Sequence, residues 1–394
     1  MYFFEGLQMS AVIQELSKRF GRTEAVRSVS LHVRDHEFMV LLGPSGSGKT
    51  TTLRCVAGLE QPTEGEIFVD DTCLYSPNQG IDVPPRLRNV GFVFQNYALY
   101  PHMSVFQNVA FPLRSRGLEA TDIQKRVQEV LSLLDLGGHE ERKPAQLSGG
   151  EQQRVAVARV LVTKPRILLF DEPLSHLDVP LRAGLRAELK RAHRQAGATS
   201  IYVTHDQLEA MMMADRIAVM HNGVIQQVGK PLDIYSFPET VFVAKFTGNP
   251  KTNLIRGTIR QVDSEVQLLP ESDPRLRLTV GDECRSFQGQ EVIVNVRPED
   301  VATAPNPSTP QTTLRLYAVL DQGSETLIVT RFGDGRSEIV AKDRTMNRGR
   351  YRIGQELEIR FVRGTVYSTE TERIVGSFGF RTAAELSPAV RLPS

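Results

Sequence analysis

Gly43-Pro-Ser-Gly-Ser-Gly-Lys-Thr50 is the stretch that decides the fold. It has the G-x-x-x-x-G-K-[ST] spacing of a phosphate-binding loop. Gly43, Gly46 and Gly48 let backbone N–H groups turn toward a polyphosphate, with Pro44, Ser45 and Ser47 between them. Lys49 has the reach for the β- and γ-phosphates, and the Thr50 hydroxyl can hold Mg²⁺. Upstream, Phe38-Met-Val-Leu-Leu42 is a short apolar run of the buried parallel-strand kind. Downstream, Thr51 opens a helical stretch through Ala57 that stops at Gly58. The loop is thus expected between a strand and a helix N-terminus, where the helix dipole favours anions.

The pattern continues outward from this loop. Apolar runs at Val90–Phe94, Ile167–Phe170, Ile201–Val203 and Ile217–Met220 alternate with helical stretches such as Ala120–Leu136 and Leu181–Gln195. Such alternation predicts a mostly parallel α/β sheet. Residues from about 96 to 162 are polar and helical, and are expected to form a subdomain inserted into the sheet order. After residue 250 the period changes to two, in Glu291–Val296 and Glu356–Phe361, with turn groups at Asn306–Pro310, Gln322–Gly323 and Arg331–Gly335. This predicts a separate all-β domain over 251–394, built as one or two small barrels.

Composition narrows the class. Of 394 residues, 40% are hydrophobic and 24% charged, which is ordinary for a globular chain. A net charge of +1 gives no electrostatic case for a nucleic-acid partner. Cys55, Cys73 and Cys284 are far apart and lack metal-binding spacing. The Met1–Gly6 stretch lacks the pattern of a signal peptide.

Two further motifs carry chemistry. In Ile167-Leu-Leu-Phe-Asp-Glu-Pro173, Asp171 falls at the carboxyl end of a strand, the edge where α/β sheets bind ligands. It can hold Mg²⁺, and Glu172, one residue on, can polarise an attacking water. In Leu147-Ser-Gly-Gly-Glu-Gln-Gln-Arg154, Ser148 and Glu151 have capping-box spacing. Gly149 and Gly150 leave backbone N–H groups bare at a helix N-terminus, a second phosphate-binding surface. One nucleotide has no evident need of two such surfaces from one chain, and a symmetric dimer would supply the second from its partner.

Taken together, these motifs resemble those of the ATP-binding cassette ATPases, in particular the importer subunits for sugars and related solutes. Leu147–Gln152 reads LSGGEQ, a variant of the family's LSGGQ signature. The resemblance covers about Ala11–Pro250 densely, and implies a P-loop cassette over 1–250 followed by an OB-like regulatory domain. It implies that Gln95 is the Q-loop residue touching Mg²⁺ and the attacking water, and that Ser175–Asp178 is the D-loop. It implies that His205 contacts the γ-phosphate, and that Phe20 stacks on adenine. Two ATP molecules would be sandwiched by a homodimer, each between one chain's P-loop and the other's Ser148–Glu151.

Beyond the cassette, Val296–Asp300 and Gln322–Ile328 match segments of the sugar-importer branch. Lys251-Thr-Asn253 and Tyr367–Arg373 depart from the branch's usual pattern. The resemblance also implies two transmembrane permease subunits docking near Tyr97–Asn108, where large apolar side chains sit on an expected connection. Taken alone, that segment also has a blander reading as a satellite core under a loop. An external solute-binding protein and a peripheral place on the cytoplasmic face of the inner membrane follow from the same resemblance. Alternatives are an importer ATPase for polyamine or inorganic ion, a soluble cassette ATPase acting on nucleic acid or ribosomes, and a sensor built on the C-terminal barrels.

Overall fold

The computed structural model describes residues 9–175, 177–273, 276–303, 311–332, 335, 337–344 and 351–379. Met1–Gly6, the turn group Asn306–Pro310, part of Arg331–Gly335 and His176 of the D-loop lie outside them.

Two compact units divide at Pro231 and Leu232. The first contains, in chain order, β1 (Met9–Phe20), β2 (Thr23–Arg34), β3 (Phe38–Leu42), α1 (Lys49–Ala57), β4 (Glu64–Val69), β5 (Thr72–Ser76), β6 (Ile81–Asp82) and β7 (Val90–Val93). It continues through α2 (Val105–Ser115), α3 (Ala120–Leu133), α4 (Gly149–Leu161), β8 (Ile167–Asp171), α5 (Val179–Ala196), β9 (Thr199–Thr204), α6 (Gln207–Met213), β10 (Arg216–His221) and β11 (Val224–Gly229).

The central sheet has the order β11-β10-β3-β9-β8-β7. From β10 to β7 its neighbours run parallel. All five residues of β3, and all of β8 and β9, are buried, which is why Phe38–Leu42, Ile167–Phe170 and Ile201–Val203 read as short apolar runs rather than alternations. The helices α2, α3 and α4 lie between β7 and β8 in sequence.

A second sheet, β2-β1-β4-β5-β6, adds an antiparallel face that the expectation of a mostly parallel fold did not include. Its long β1–β2 pair hides its alternation because the register shifts repeatedly between Met9 and Arg19. Glu15 and Ser28 also take left-handed backbone there, with φ of 47° each.

The second unit carries α7 (Pro231–Ser236), α8 (Val241–Phe246), β12 (Asn253–Val262), β13 (Glu265–Pro270), β14 (Leu278–Thr279), β15 (Glu291–Val296) and β16 (Val301–Thr303). It ends with β17 (Thr312–Asp321), β18 (Thr326–Arg331), β19 (Glu338–Asp343), β20 (Glu356–Phe361), β21 (Gly364–Ser368) and β22 (Ile374–Phe378). Two antiparallel sheets, β14-β13-β12-β15-β21-β22 and β16-β20-β17-β18-β19, share one apolar core.

The division falls before residue 250, where the sequence placed it, because α7 and α8 are anchored to these strands. Arg297, 5% exposed, donates to the carbonyls of Tyr235 and Ala244. The Tyr367 hydroxyl donates to the Pro238 carbonyl at 2.8 Å. A buried guanidinium must have its donors satisfied, so this arginine fixes both helices within the β-rich unit.

Candidate active site

The carboxyl ends of β3, β8 and β9 bring the predicted residues to one edge of the parallel sheet. After β3 the chain turns through Gly43–Gly48 into α1, whose N-cap Gly48 has φ 97°. A Cβ at Gly48 would lie 2.5 Å from the Ala25 carbonyl oxygen, so both space and backbone require glycine. Gly43 is held by space alone: a Cβ there would lie 2.2 Å from the Met220 carbonyl oxygen. Ser45 and Gly46 are exposed at the tip, while Ser47 is buried and Pro44 and Thr51 are half-buried.

Lys49 points into this turn. Its ammonium donates to the carbonyls of Gly43 and Pro44 at 2.9 Å each and to Ser47 Oγ at 3.4 Å. Burial pushes its pKa down, and the carboxylates of Glu172 and Asp171 pull the other way. The cation is thus concentrated at the centre of a loop of backbone dipoles, where a polyphosphate gains most from it.

Thr50 Oγ1 donates to Asp171 Oδ1 at 2.7 Å. Asp171 is 3% exposed, and burial raises its pKa against the Thr50 hydrogen bond and the nearby Arg54, whose guanidinium lies 3.7 Å away. A buried carboxylate only loosely paired with one arginine suits a divalent cation, and a hydroxyl beside it completes a hard-oxygen donor pair. Among the described residues no cluster of three or more His, Cys, Asp or Glu could hold a metal unaided.

Glu172 directly follows β8 in left-handed backbone, φ 44°, and its N–H donates to the Val203 carbonyl at 3.2 Å. That bond spans β8 and β9 and brings the Glu172 carboxylate to His205, with Nδ1 and Oε2 3.0 Å apart. His205 is half-exposed. Beneath it, the Glu209 carboxylate accepts from the hydroxyls of Tyr202 and Thr204 at 2.9 and 2.7 Å. Asp206 caps α6 by accepting from the N–H groups of Leu208 and Glu209. Glu209 escaped the motif reading, although Asp206-x-x-Glu209 is itself a cap-like spacing.

Gln95 follows β7 and is exposed, and its Nε2 donates to Ser175 Oγ at 3.2 Å, joining Q-loop to D-loop. Asp178 is exposed at the start of α5. Phe20 is 46% exposed at the end of β1, with the Lys18 ammonium 4.6 Å from its ring centroid. Its exposure leaves a ring face for a planar base. Phe20→Ala is expected to weaken ATP binding by about 1–3 kcal/mol, the range for one base stacked on an aromatic ring. Fluorescent-nucleotide titration measures this, and an unchanged Kd would remove Phe20 from the site.

Ser148 caps α4 in a full capping box. Its Oγ accepts from the Glu151 N–H, and the Glu151 carboxylate accepts from the Ser148 N–H and hydroxyl at 2.7 Å each. Those bonds hold the Glu151 pKa below the ordinary range, the Ser148 backbone bond contributing most. Gly150 is buried, and a Cβ at Gly149 would meet Leu177 Cδ2 at 3.0 Å. Among the described residues no hydrogen bond or ion pair joins Ser148–Glu151 to the Gly43–Thr51 loop. The chain presents two glycine-flanked helix N-termini, at Gly48 and at Ser148, and unites only the first with Asp171, Glu172 and His205.

The Tyr97–Asn108 segment is less exposed than an open connection would be. Tyr97, Val105 and Asn108 are buried, and Asn108 bonds back to Tyr100, Met103 and Ser104. Beside it lies a groove of about 350 Å³ walled by Phe92, Phe94, Tyr100, Phe111 and Pro112.

Residues 26–175 match the family described as ABC transporter. The trehalose/maltose import ATP-binding protein of Thermococcus litoralis is 51% identical over 293 residues, 73% of this chain and 77% of that protein. The spermidine/putrescine import ATP-binding protein of Rubrobacter xylanophilus is 42% identical over 356 residues, 90% of this chain and 92% of that one. Among solved structures, cbiO1 of Clostridium perfringens, part of the ABC transporter complex cbiONQ, superposes with a TM-score of 0.53 at 28% identity. That match covers 58% of this chain and 90% of cbiO1. The chain therefore belongs to the ABC transporter family, as an ATP-binding, ATP-hydrolysing subunit of the importer type.

Proposed function

We propose that two copies of this chain close over ATP and drive a sugar or sugar derivative through separate membrane subunits. The observation that carries the reading is the split site: Lys49, Thr50, Asp171, Glu172 and His205 converge on one edge, while the capped Ser148–Gly150 helix end stands apart from them. A second copy would bring its own Ser148–Gly150 to the γ-phosphate held by the first.

In this scheme the loop N–H groups and Lys49 hold the β- and γ-phosphates. Thr50 and Asp171, with Gln95, would hold Mg²⁺, which when bound neutralises phosphate charge as the γ-phosphoryl group leaves. Glu172 orients and deprotonates the attacking water, and His205, within 3.0 Å of that carboxylate, contacts the γ-phosphate beside it. Asp178 sets the D-loop against the partner. Asp171→Asn keeps the shape and removes the charge, and is expected to raise the Mg²⁺ needed for half-maximal activity by roughly 10–100-fold. A magnesium titration at saturating ATP checks it, and an unshifted midpoint would place the metal elsewhere.

The groove beside Tyr100 and Phe111 is the proposed seat of a helix from each membrane subunit, by the helix-in-groove mode. Among the described residues no helix is long and apolar enough to cross a membrane; the proposed place is peripheral, on the cytoplasmic face. The sugar assignment is supported by the 51% identity to a trehalose/maltose import protein. A polyamine reading is favoured by one observation, the match that extends over 90% of the chain, β-rich unit included. The test is affinity purification from membranes, followed by ATPase assays of the captured complex with maltose, trehalose and spermidine. Capture without membrane subunits, or activity indifferent to all solutes and their binding proteins, would count against the importer reading.

A further inference from the structure

Immediately after Gln95 the backbone does something unusual. Tyr97 and Ala98, neither of them glycine, both lie in the left-handed region, with φ of 61° and 46°. Consecutive residues of this kind persist only where surrounding structure forces them. The Tyr97 hydroxyl does not anchor the turn, because it is buried without a hydrogen-bond partner. The turn is held by its carbonyls. One nitrogen of Arg159 donates to the Ala98 carbonyl at 2.7 Å, and another to the Tyr97 carbonyl at 2.8 Å. The same guanidinium sits 5.5 Å from the Tyr100 ring centroid.

Arg159 has no carboxylate within ion-pair distance among the described residues. Burial lowers its pKa, so its charge is answered chiefly by these two carbonyls and an aromatic face. It lies in the last turn of α4, the helix whose first turn is Gly149–Glu151. The two ends are about 15 Å apart at 1.5 Å per residue. Between them α4 buries Gln153, Val155, Ala156, Val157 and Ala158, and a packed helix moves as a unit. Arg159 also lines the groove, next to Tyr100 and Phe94.

We propose that Arg159 is a positioning residue that ties the Tyr97–Ala98 turn to the helix beginning at Ser148, so that Q-loop exit, groove wall and signature move as one piece. A planar guanidinium with two parallel N–H donors fixes direction as well as distance, which a lysine ammonium cannot do. Only the identity of what fills the groove rests on the importer reading; the tie is a property of the chain alone.

Hydrogen–deuterium exchange of the full chain, with and without Mg-AMP-PNP, tests the tie alongside steady-state ATPase kinetics. In Arg159→Ala the amides of residues 97–100 are expected to exchange about tenfold faster or more. Mg-AMP-PNP should slow them in the wild type and leave them fast in the variant. The value of kcat should fall about tenfold while KM for ATP stays within about twofold, since the P-loop is untouched. Arg159→Lys, which keeps the charge and one donor, should be intermediate in both measurements, and it serves as the reporter if the alanine variant fails to fold.

Unchanged exchange at 97–100 in the variants, no nucleotide effect there in the wild type, or KM rising in step with the loss of kcat would each overturn the proposal. The two readings fail separately. A chain that passes these tests but captures no membrane subunit faults the importer reading, and one that captures its partners but fails them faults the tie.

Discussion

Replacing Glu172 by glutamine leaves ATP affinity within about twofold of wild type and lowers hydrolysis by about 10²–10⁴-fold, the usual contribution of a positioned general base. That loss is roughly 3–5.5 kcal/mol of transition-state stabilisation. Glutamine has nearly the same volume, so the tight turn after β8 and the N–H bond to the Val203 carbonyl are kept. What disappears is the ability to take a proton. In the proposed scheme the phosphates are held by Lys49 and the loop, whose hydrogen bonds the change keeps while it removes only the pull of the Glu172 charge on the ammonium. With ATP bound and not consumed, the closed state favoured by nucleotide has no route to reopen. A stable dimer should therefore accumulate in ATP and not in ADP, visible by size-exclusion chromatography with light scattering. Turnover within tenfold of wild type would show that the base is another group, and His205, 3.0 Å away, would be the first alternative to examine.

Local motifs were legible in the sequence, and pairings distant in sequence were not. The Gly43–Thr50 loop could be read because strand, turn and helix N-terminus are contiguous and each has its own residue signal. The capping box at Ser148 could be read for the same reason, since its partners are three residues apart. The antiparallel β1–β2 pair was hidden because its register shifts break the two-residue period. The boundary of the β-rich unit was misplaced because composition changes near residue 250, whereas the anchors of α7 and α8 are the distant Arg297 and Tyr367. The Tyr97–Asn108 segment was read as an exposed connection because nothing local shows that Asn108 folds back on Tyr100 or that Arg159 holds the turn. Such partners are 8 and about 60 residues apart, and only the folded chain brings them together.

Gly149→Asp should abolish hydrolysis at every protein concentration while leaving ATP bound at the P-loop of the same chain. The fold should tolerate it. Aspartate in the first turn of a helix is favoured by the helix dipole, and Leu177 Cδ2 at 3.0 Å from the new Cβ is the end of a flexible side chain. The same charge is disastrous for a phosphate approaching that helix end, because it places an anion where the bare N–H groups would receive one. In a single-chain site this variant would behave like wild type, since no bond joins Ser148–Glu151 to the Gly43–Thr51 loop among the described residues.

Mixing makes the argument sharper. Lys49→Ala spoils the P-loop and spares the signature; Gly149→Asp does the reverse. Each alone should be inactive. If the site is shared across a two-fold interface, a mixed dimer has one intact site, formed by the Gly149→Asp chain's P-loop and the Lys49→Ala chain's signature. With random pairing and independent sites, an equal mixture regains about a quarter of wild-type activity. The wild-type rate per chain should also rise with concentration until dimers are complete, as followed by sedimentation. A rate per chain that stays flat while sedimentation shows monomers becoming dimers would mean that each chain carries a whole site. Full activity in Gly149→Asp alone would mean the same.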